Sequence, residues 1–104
     1  MLIRAVGPGL GRFRVDNPLA AARVEVFRAG TSLGSNEGWE NQATPAARTQ
    51  LIAATNAVGT FALGNGSLDA ALLLTLNAGA SYTVQVAGVN NATGEALVEV
   101  YEVF

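Results

Sequence analysis

The sequence contains no cysteine, no histidine and no lysine, so its six basic residues are all arginine. Without these side chains the chain cannot form disulfides or bind zinc through the usual Cys and His ligands. It also lacks a histidine general base, a lysine that could form a Schiff base, and any histidine that could activate a serine nucleophile. Carboxylates, tyrosines and hydroxyls are the reactive groups that remain. We therefore expect no enzyme activity and no cofactor or metal.

Charge is also scarce, since only 13% of the residues are charged and the formal net charge is −2. No run of basic residues is present, which argues against nucleic acid as a partner. No apolar run approaches the roughly 18 residues that a membrane-spanning helix needs, so we expect no membrane insertion. Met1 leads directly into strand-like residues, and we expect no signal peptide in this chain.

What the sequence does contain is a series of short segments typical of β-structure. Half of its 104 residues are apolar, and runs of Val, Leu, Thr and Tyr recur between clusters of Gly, Asn and Pro. The predicted strands are Leu2–Val6, 23–28, 31–35, 70–76, 81–89 and 95–104. Residues 35–42 are predicted to form a loop, and Thr44 and Pro45 to cap and begin a helix over 45–55.

These segments predict a single mainly β domain over residues 1–104. The apolar face of the last three strands, interpreted as an antiparallel meander, needs a second sheet to cover it. We therefore predict a two-sheet antiparallel sandwich of the jelly-roll kind, with about seven or eight strands and one short helix near 45–55.

The last predicted strand is apolar on both faces, a pattern typical of strands that are covered on both sides. Either the helix or a loop covers the second face, or a neighbouring subunit does. The second alternative predicts a homo-oligomer, or contact with neighbouring domains of a larger protein. Arg12 and Arg14 would share one face of an extended segment and could bind a carboxylate such as Glu99 or Glu102 of another copy, unless they are simply solvated. The residues predicted for self-association are Leu97, Glu99, Tyr101, Val103, Phe104, Arg12 and Arg14.

A second candidate site surrounds the single tryptophan. Asn36, Glu37, Trp39 and Glu40 combine an aromatic ring with amides and carboxylates, which could contact a glycan or a Ca²⁺ ion. Glycoside hydrolysis needs two carboxyls held at a defined separation, one with a raised pKa, and two glutamates on one polar loop meet that demand poorly. The alternative is that Trp39 covers the core while solvated glutamates surround it.

Three further motifs have simpler explanations than a binding site. Residues 65–67 and 91–93 match the N-glycosylation pattern, but Asn-rich turns account for both. The glycine-rich residues 7–11 follow a strand, yet the glycine spacing is wrong for a dinucleotide site and no helix is expected to follow. We interpret this segment as a turn.

Six stretches of the sequence, taken in order, form a distinctive series. They are Leu2-Ile3-Arg4-Ala5-Val6-Gly7-Pro8, Val24-Glu25-Val26-Phe27 with Gly30, Ser35-Asn36-Glu37-Gly38-Trp39, Asp69-Ala70-Ala71-Leu72-Leu73 with Thr75-Leu76, Tyr82-Thr83-Val84-Gln85-Val86 with Gly88-Val89, and Thr93-Gly94-Glu95-Ala96-Leu97-Val98-Glu99-Val100-Tyr101. In this order they resemble a module found in large secreted bacterial proteins. More distantly, the chain is similar to pre-peptidase C-terminal β-sandwich domains.

The resemblance implies a jelly-roll-like sandwich, an extracellular or cell-surface location and a non-catalytic role. It carries over no catalytic residues. The sequence before Trp39 departs from the usual succession of acidic or amide residues, which weakens the case for a cation site. Related modules also have a further apolar strand upstream of the Leu2–Val6 motif, so one sheet edge of this chain could be open to pairing with another chain.

Overall fold

A computed structural model describes residues 1–103. Within these residues the chain forms six strands, one α-helix and two short 3-10 helices. In chain order they are β1 (Leu2–Val6), a 3-10 helix (Pro8–Phe13), β2 (Ala22–Arg28), β3 (Thr31–Glu37), α1 (Pro45–Val58), β4 (Ala70–Leu73), β5 (Thr83–Gly88), a 3-10 helix (Val89–Asn91) and β6 (Leu97–Tyr101).

The strands form two antiparallel three-stranded sheets, in the orders β4-β1-β6 and β3-β2-β5. This confirms the predicted mainly β, two-sheet architecture with one helix, although the described residues contain six strands rather than seven or eight. The predicted meander of the last three strands is wrong. β4 and β6 both pair with β1, whereas β5 pairs with β2 in the other sheet. The connections on either side of β5 cross between the sheets, so β4, β5 and β6 do not pair with one another.

β1 lies at the centre of the fold because it is buried on both faces. Ile3 and Ala5 point between the sheets, where they join a core cluster with Val24 and Val26. Leu2 points to the opposite face and packs in a second cluster that contains Leu51 of α1. The molecule therefore has three layers, two sheets and a helix, and β1 is in the middle layer. Full burial of each large aliphatic side chain contributes roughly 1.5–3 kcal/mol.

The helix begins as predicted. The Thr44 side-chain oxygen accepts the Ala47 N–H at 3.0 Å, and Pro45 is the first helical residue, where it has no N–H to satisfy. The helix continues past residue 55 to Val58 and ends at Gly59, whose φ of 73° is the left-handed conformation favoured by glycine. Its apolar face packs on β1 and β4.

Two local predictions around this framework are wrong. The residues after Gly7 form a 3-10 helix rather than a simple turn, because Leu10 and Arg14 donate to carbonyls three residues earlier. Residues 36 and 37, predicted as part of a loop, belong to β3 and pair with β2. No helix within residues 1–103 is both long and apolar enough to cross a membrane.

Candidate functional site

The most exposed apolar surface in the sheets lies along β6. This strand is an edge of its sheet, and in the described residues its pairing partner is β1. Val98 and Val100 are opposite Ala5 and Ile3 in the register, so they belong to the face that points between the sheets. They are nevertheless 46% and 55% exposed. The second sheet packs over β4 and β1 and leaves these two valines uncovered.

The opposite face of β6 is covered by the chain itself. Tyr101 and Val103 pack against the cluster beneath α1. The Tyr101 hydroxyl donates to the Glu99 carboxylate and lies 3.1 Å from the Thr60 hydroxyl, in the segment that follows α1. Leu97, on the same face, remains exposed. Coverage by the same chain, the first of the two alternatives, is thus seen for Tyr101 and Val103 but not for Leu97. Phe104 lies outside the described residues.

Glu99 faces Arg4, a fully buried arginine on the neighbouring strand. Arg4 Nε lies 3.3 Å from Glu99 Oε1, while Arg4 Nη1 donates to Thr60 Oγ1 at 2.9 Å and to the Phe61 carbonyl at 2.8 Å. The guanidinium also stacks over the Phe61 ring at 4.4 Å. Burial lowers the pKa of Arg4, and the Glu99 carboxylate opposes that shift. This pair anchors β6 to β1 and to the segment behind it.

The other two residues predicted for self-association lie elsewhere. Arg12 belongs to the first 3-10 helix and Arg14 ends it with a positive φ of 60°. The extended conformation that would have aligned their side chains is therefore absent, and that premise is wrong. Arg12 instead lies over the Phe61 ring at 5.4 Å.

The Trp39 ring is an internal side chain in this structure. It is 6% exposed and packs with Leu2, Leu51 and Ala71. Its Nε1 donates to the Gly64 carbonyl at 2.8 Å. A ring in this position covers the core and presents no free face on which a sugar could stack.

The polar residues around Trp39 have separate partners and do not converge. Asn36 is buried and accepts the Ala71 N–H at 3.0 Å. Glu37 pairs with Arg23 at 3.3 Å, and Glu40 pairs with Arg48 at 2.7 Å. Within residues 1–103, no group of three acidic side chains could hold a metal ion. The four residues therefore make separate contacts within the chain and do not form one binding surface.

A cleft of about 430 Å³ lies beside this loop, at the start of α1. Glu40, Gln42, Thr44 and Arg48 contribute polar groups to its wall, and Ile52 contributes an apolar side chain. The charged pair in the cleft is already formed within the chain, so its polar groups are largely satisfied.

Two buried charges that organise the fold were missed by sequence reasoning. Asp69 accepts the Gly7 N–H at 2.7 Å, the Gly9 N–H at 3.0 Å and the Ser67 hydroxyl. The Asp69 carboxylate thus accepts hydrogen bonds from two backbone amides of the glycine-rich segment. Arg4 could have been noticed as a single charge within an apolar strand, whereas nothing in the local sequence marks Asp69.

Comparison with known proteins adds no relative to this description: no family model, curated protein or solved structure matches the chain.

Proposed function

We propose that this chain is a non-catalytic structural β-sandwich module that associates with a second copy of itself through β6. The observation that carries the proposal is the exposure of Val98 and Val100 on an edge strand. We propose an extracellular or cell-surface location for the protein from the sequence resemblance to modules of secreted proteins.

Exposed edge strands are usually protected against pairing by charged residues, proline or a covering loop. β6 contains one charged residue, Glu99, and that side chain is directed at Arg4 behind the strand. The outward edge therefore offers backbone donors and acceptors flanked by valines. A strand added to this edge would gain main-chain hydrogen bonds and would cover both valines, contributing roughly 1 kcal/mol for each half-exposed side chain.

The proposed surface differs from the face chosen from the sequence. It retains β6 and the exposed Leu97, but it uses the free edge with Val98 and Val100. Glu99 and Tyr101 already have partners within the chain, so they support β6 from behind. Arg12 and Arg14 are not part of this surface.

The test compares the solution mass of the wild type and of Val100→Lys by analytical ultracentrifugation over a wide range of concentrations. We expect the wild type to associate as concentration rises and the variant to remain monomeric, because a lysine at the edge opposes strand pairing. Ile52→Lys is the matched control, since Ile52 is also an exposed aliphatic residue but lies on α1. A wild type that stays monomeric, or a Val100→Lys variant that associates equally well, contradicts the proposal.

Glycan binding through the Trp39 loop is the alternative function. It requires the indole to leave its internal position and to break its hydrogen bond with the Gly64 carbonyl. A shift in Trp39 fluorescence on addition of a polysaccharide, lost in Trp39→Ala, would favour this alternative.

A further inference from the structure

The turn over residues 64–67 contains Asn65 followed by Gly66, and both are exposed. The Ser67 N–H donates to the Gly64 carbonyl at 3.1 Å, and Gly66 has a φ of 72° that glycine adopts without strain. The same Gly64 carbonyl accepts the Trp39 indole at 2.8 Å. A chemical change in this turn would therefore act on the position of Trp39.

An asparagine followed by glycine can react without an enzyme, because glycine has no side chain to hinder the approach. The Gly66 nitrogen attacks Asn65 Cγ, so a nitrogen–carbon bond forms and the Cγ–Nδ2 bond breaks. The proton from the Gly66 nitrogen passes to the leaving group, which departs as ammonia. Water then hydrolyses one of the two carbonyl–nitrogen bonds of the succinimide ring and leaves aspartate or isoaspartate at position 65.

In the structure the Gly66 nitrogen, which must attack, is hydrogen-bonded to the carboxylate of Glu40. Glu40 accepts the Gly66 N–H, and its other oxygen accepts Arg48 Nη2 at 2.7 Å, which fixes the carboxylate in place. The reaction has to break this charge-assisted hydrogen bond. It also has to develop negative charge on a nitrogen beside a carboxylate, which like-charge repulsion disfavours. We propose that Asn65 is a spontaneous deamidation site and that Glu40 suppresses its reaction in the folded chain.

The proposal is tested by incubating the full chain at neutral pH and measuring the mass gain at Asn65 by peptide mass spectrometry. We expect Glu40→Gln to deamidate on the order of tenfold faster than the wild type, because Gln can still accept the Gly66 N–H but no longer supplies the negative charge that strengthens this hydrogen bond and opposes charge on the nitrogen. Glu37→Gln is the matched control, because Glu37 pairs with Arg23 on the neighbouring strand and leaves the Gly66–Glu40 hydrogen bond intact. Asn65→Gln identifies the reacting residue, since its mass gain should disappear.

Equal rates in the wild type and in Glu40→Gln overturn the proposal. A slower reaction in Glu40→Gln also overturns it, because that result would make Glu40 a base that promotes the attack. If the emission of Trp39 shows that Glu40→Gln is not folded, the wild type is compared with and without urea. Faster deamidation in urea supports protection by the folded turn, and equal rates overturn it.

Discussion

The two edges of the β4-β1-β6 sheet have similar apolar sequences and opposite environments. Ile3 at the centre pairs with Leu72 of β4 on one side and with Val100 of β6 on the other. Leu72 is 7% exposed, whereas Val100 is 55% exposed. The second sheet and α1 pack over β4, while β6 lacks comparable cover on the inter-sheet face. The comparison shows that an apolar strand becomes core or surface according to what packs over it.

The outer backbone groups of β4 have hydrogen-bond partners within the chain, just as its side chains are covered. The Ala71 N–H donates to Asn36 Oδ1 at 3.0 Å, and the Ala71 carbonyl accepts Gln42 Nε2 at 3.1 Å. The side chains of β3 and of the following loop thus satisfy backbone groups of β4 that do not pair with β1. An edge satisfied in this way does not recruit a further strand. β6 therefore remains the edge of this sheet to which a partner could add.

The largest expected effect concerns the pair that anchors β6. Arg4→Met should destabilise the protein by about 3–5 kcal/mol, because it leaves Glu99 without its buried counter-charge. Chemical denaturation of the wild type and the variant measures this change. The double variant Arg4→Met with Glu99→Leu should recover most of the loss, because neither charge then remains unpaired. A double variant no more stable than Arg4→Met would show that the loss does not come from the stranded carboxylate.

The comparison between the edges is tested directly by truncating one residue on each. Leu72→Ala on β4 should cost about 2–5 kcal/mol of unfolding free energy, since it opens a cavity in the core. Val100→Ala on β6 should cost no more than about 0.5 kcal/mol in the monomer, as is usual for exposed positions. Urea denaturation at low protein concentration gives both values. Similar losses at the two positions would mean that β6 is covered as well as β4.

The smallest expected effect comes from the outer strand surface, away from both edges. The Arg23 side chain donates to Glu25 at 2.6 Å and lowers the pKa of that carboxyl, with a further contribution from Ser32. In the folded protein the pKa of Glu25 is below its ordinary value of 4.5. The ionised carboxylate therefore stabilises the folded state above pH 4.5, and this stabilisation is lost as the pH falls through the folded pKa. Thermal melts should therefore show less acid destabilisation between pH 5 and pH 3 in Glu25→Gln than in the wild type. An unchanged pH profile would assign the acid sensitivity to other carboxyls.

Local signals in the sequence predicted the elements better than their arrangement. Thr44 and Pro45 marked the start of α1 because capping depends on neighbouring backbone groups. Alternation in β6 correctly separated Val98 and Val100 from Glu99 and Tyr101, as the register with β1 confirms. The same alternation did not show which of these two faces the chain itself would cover.

The candidate site depended on contacts between residues far apart in the chain. The segment after α1 supplies Thr60 and Phe61 to Arg4, and this contact places Glu99 and Tyr101 behind β6 rather than on a free surface. Similarly, the carbonyl of Gly64 holds the Trp39 indole inside. No short-range pattern carries this information, since each contact joins segments that are at least twenty-five residues apart.

The mainly β composition, the position of the helix and the alternation of faces along each strand could be predicted from the amino-acid sequence, since all three arise from interactions between near neighbours. The absence of cysteine, histidine and lysine limited its chemistry at the same level. The central position of β1, the coverage of β4 and the exposure of β6 follow from the packing of the folded chain and could not be predicted in this way. These features depend on how the two sheets and the helix pack against one another, because each layer buries the apolar side chains of only those strands over which it packs.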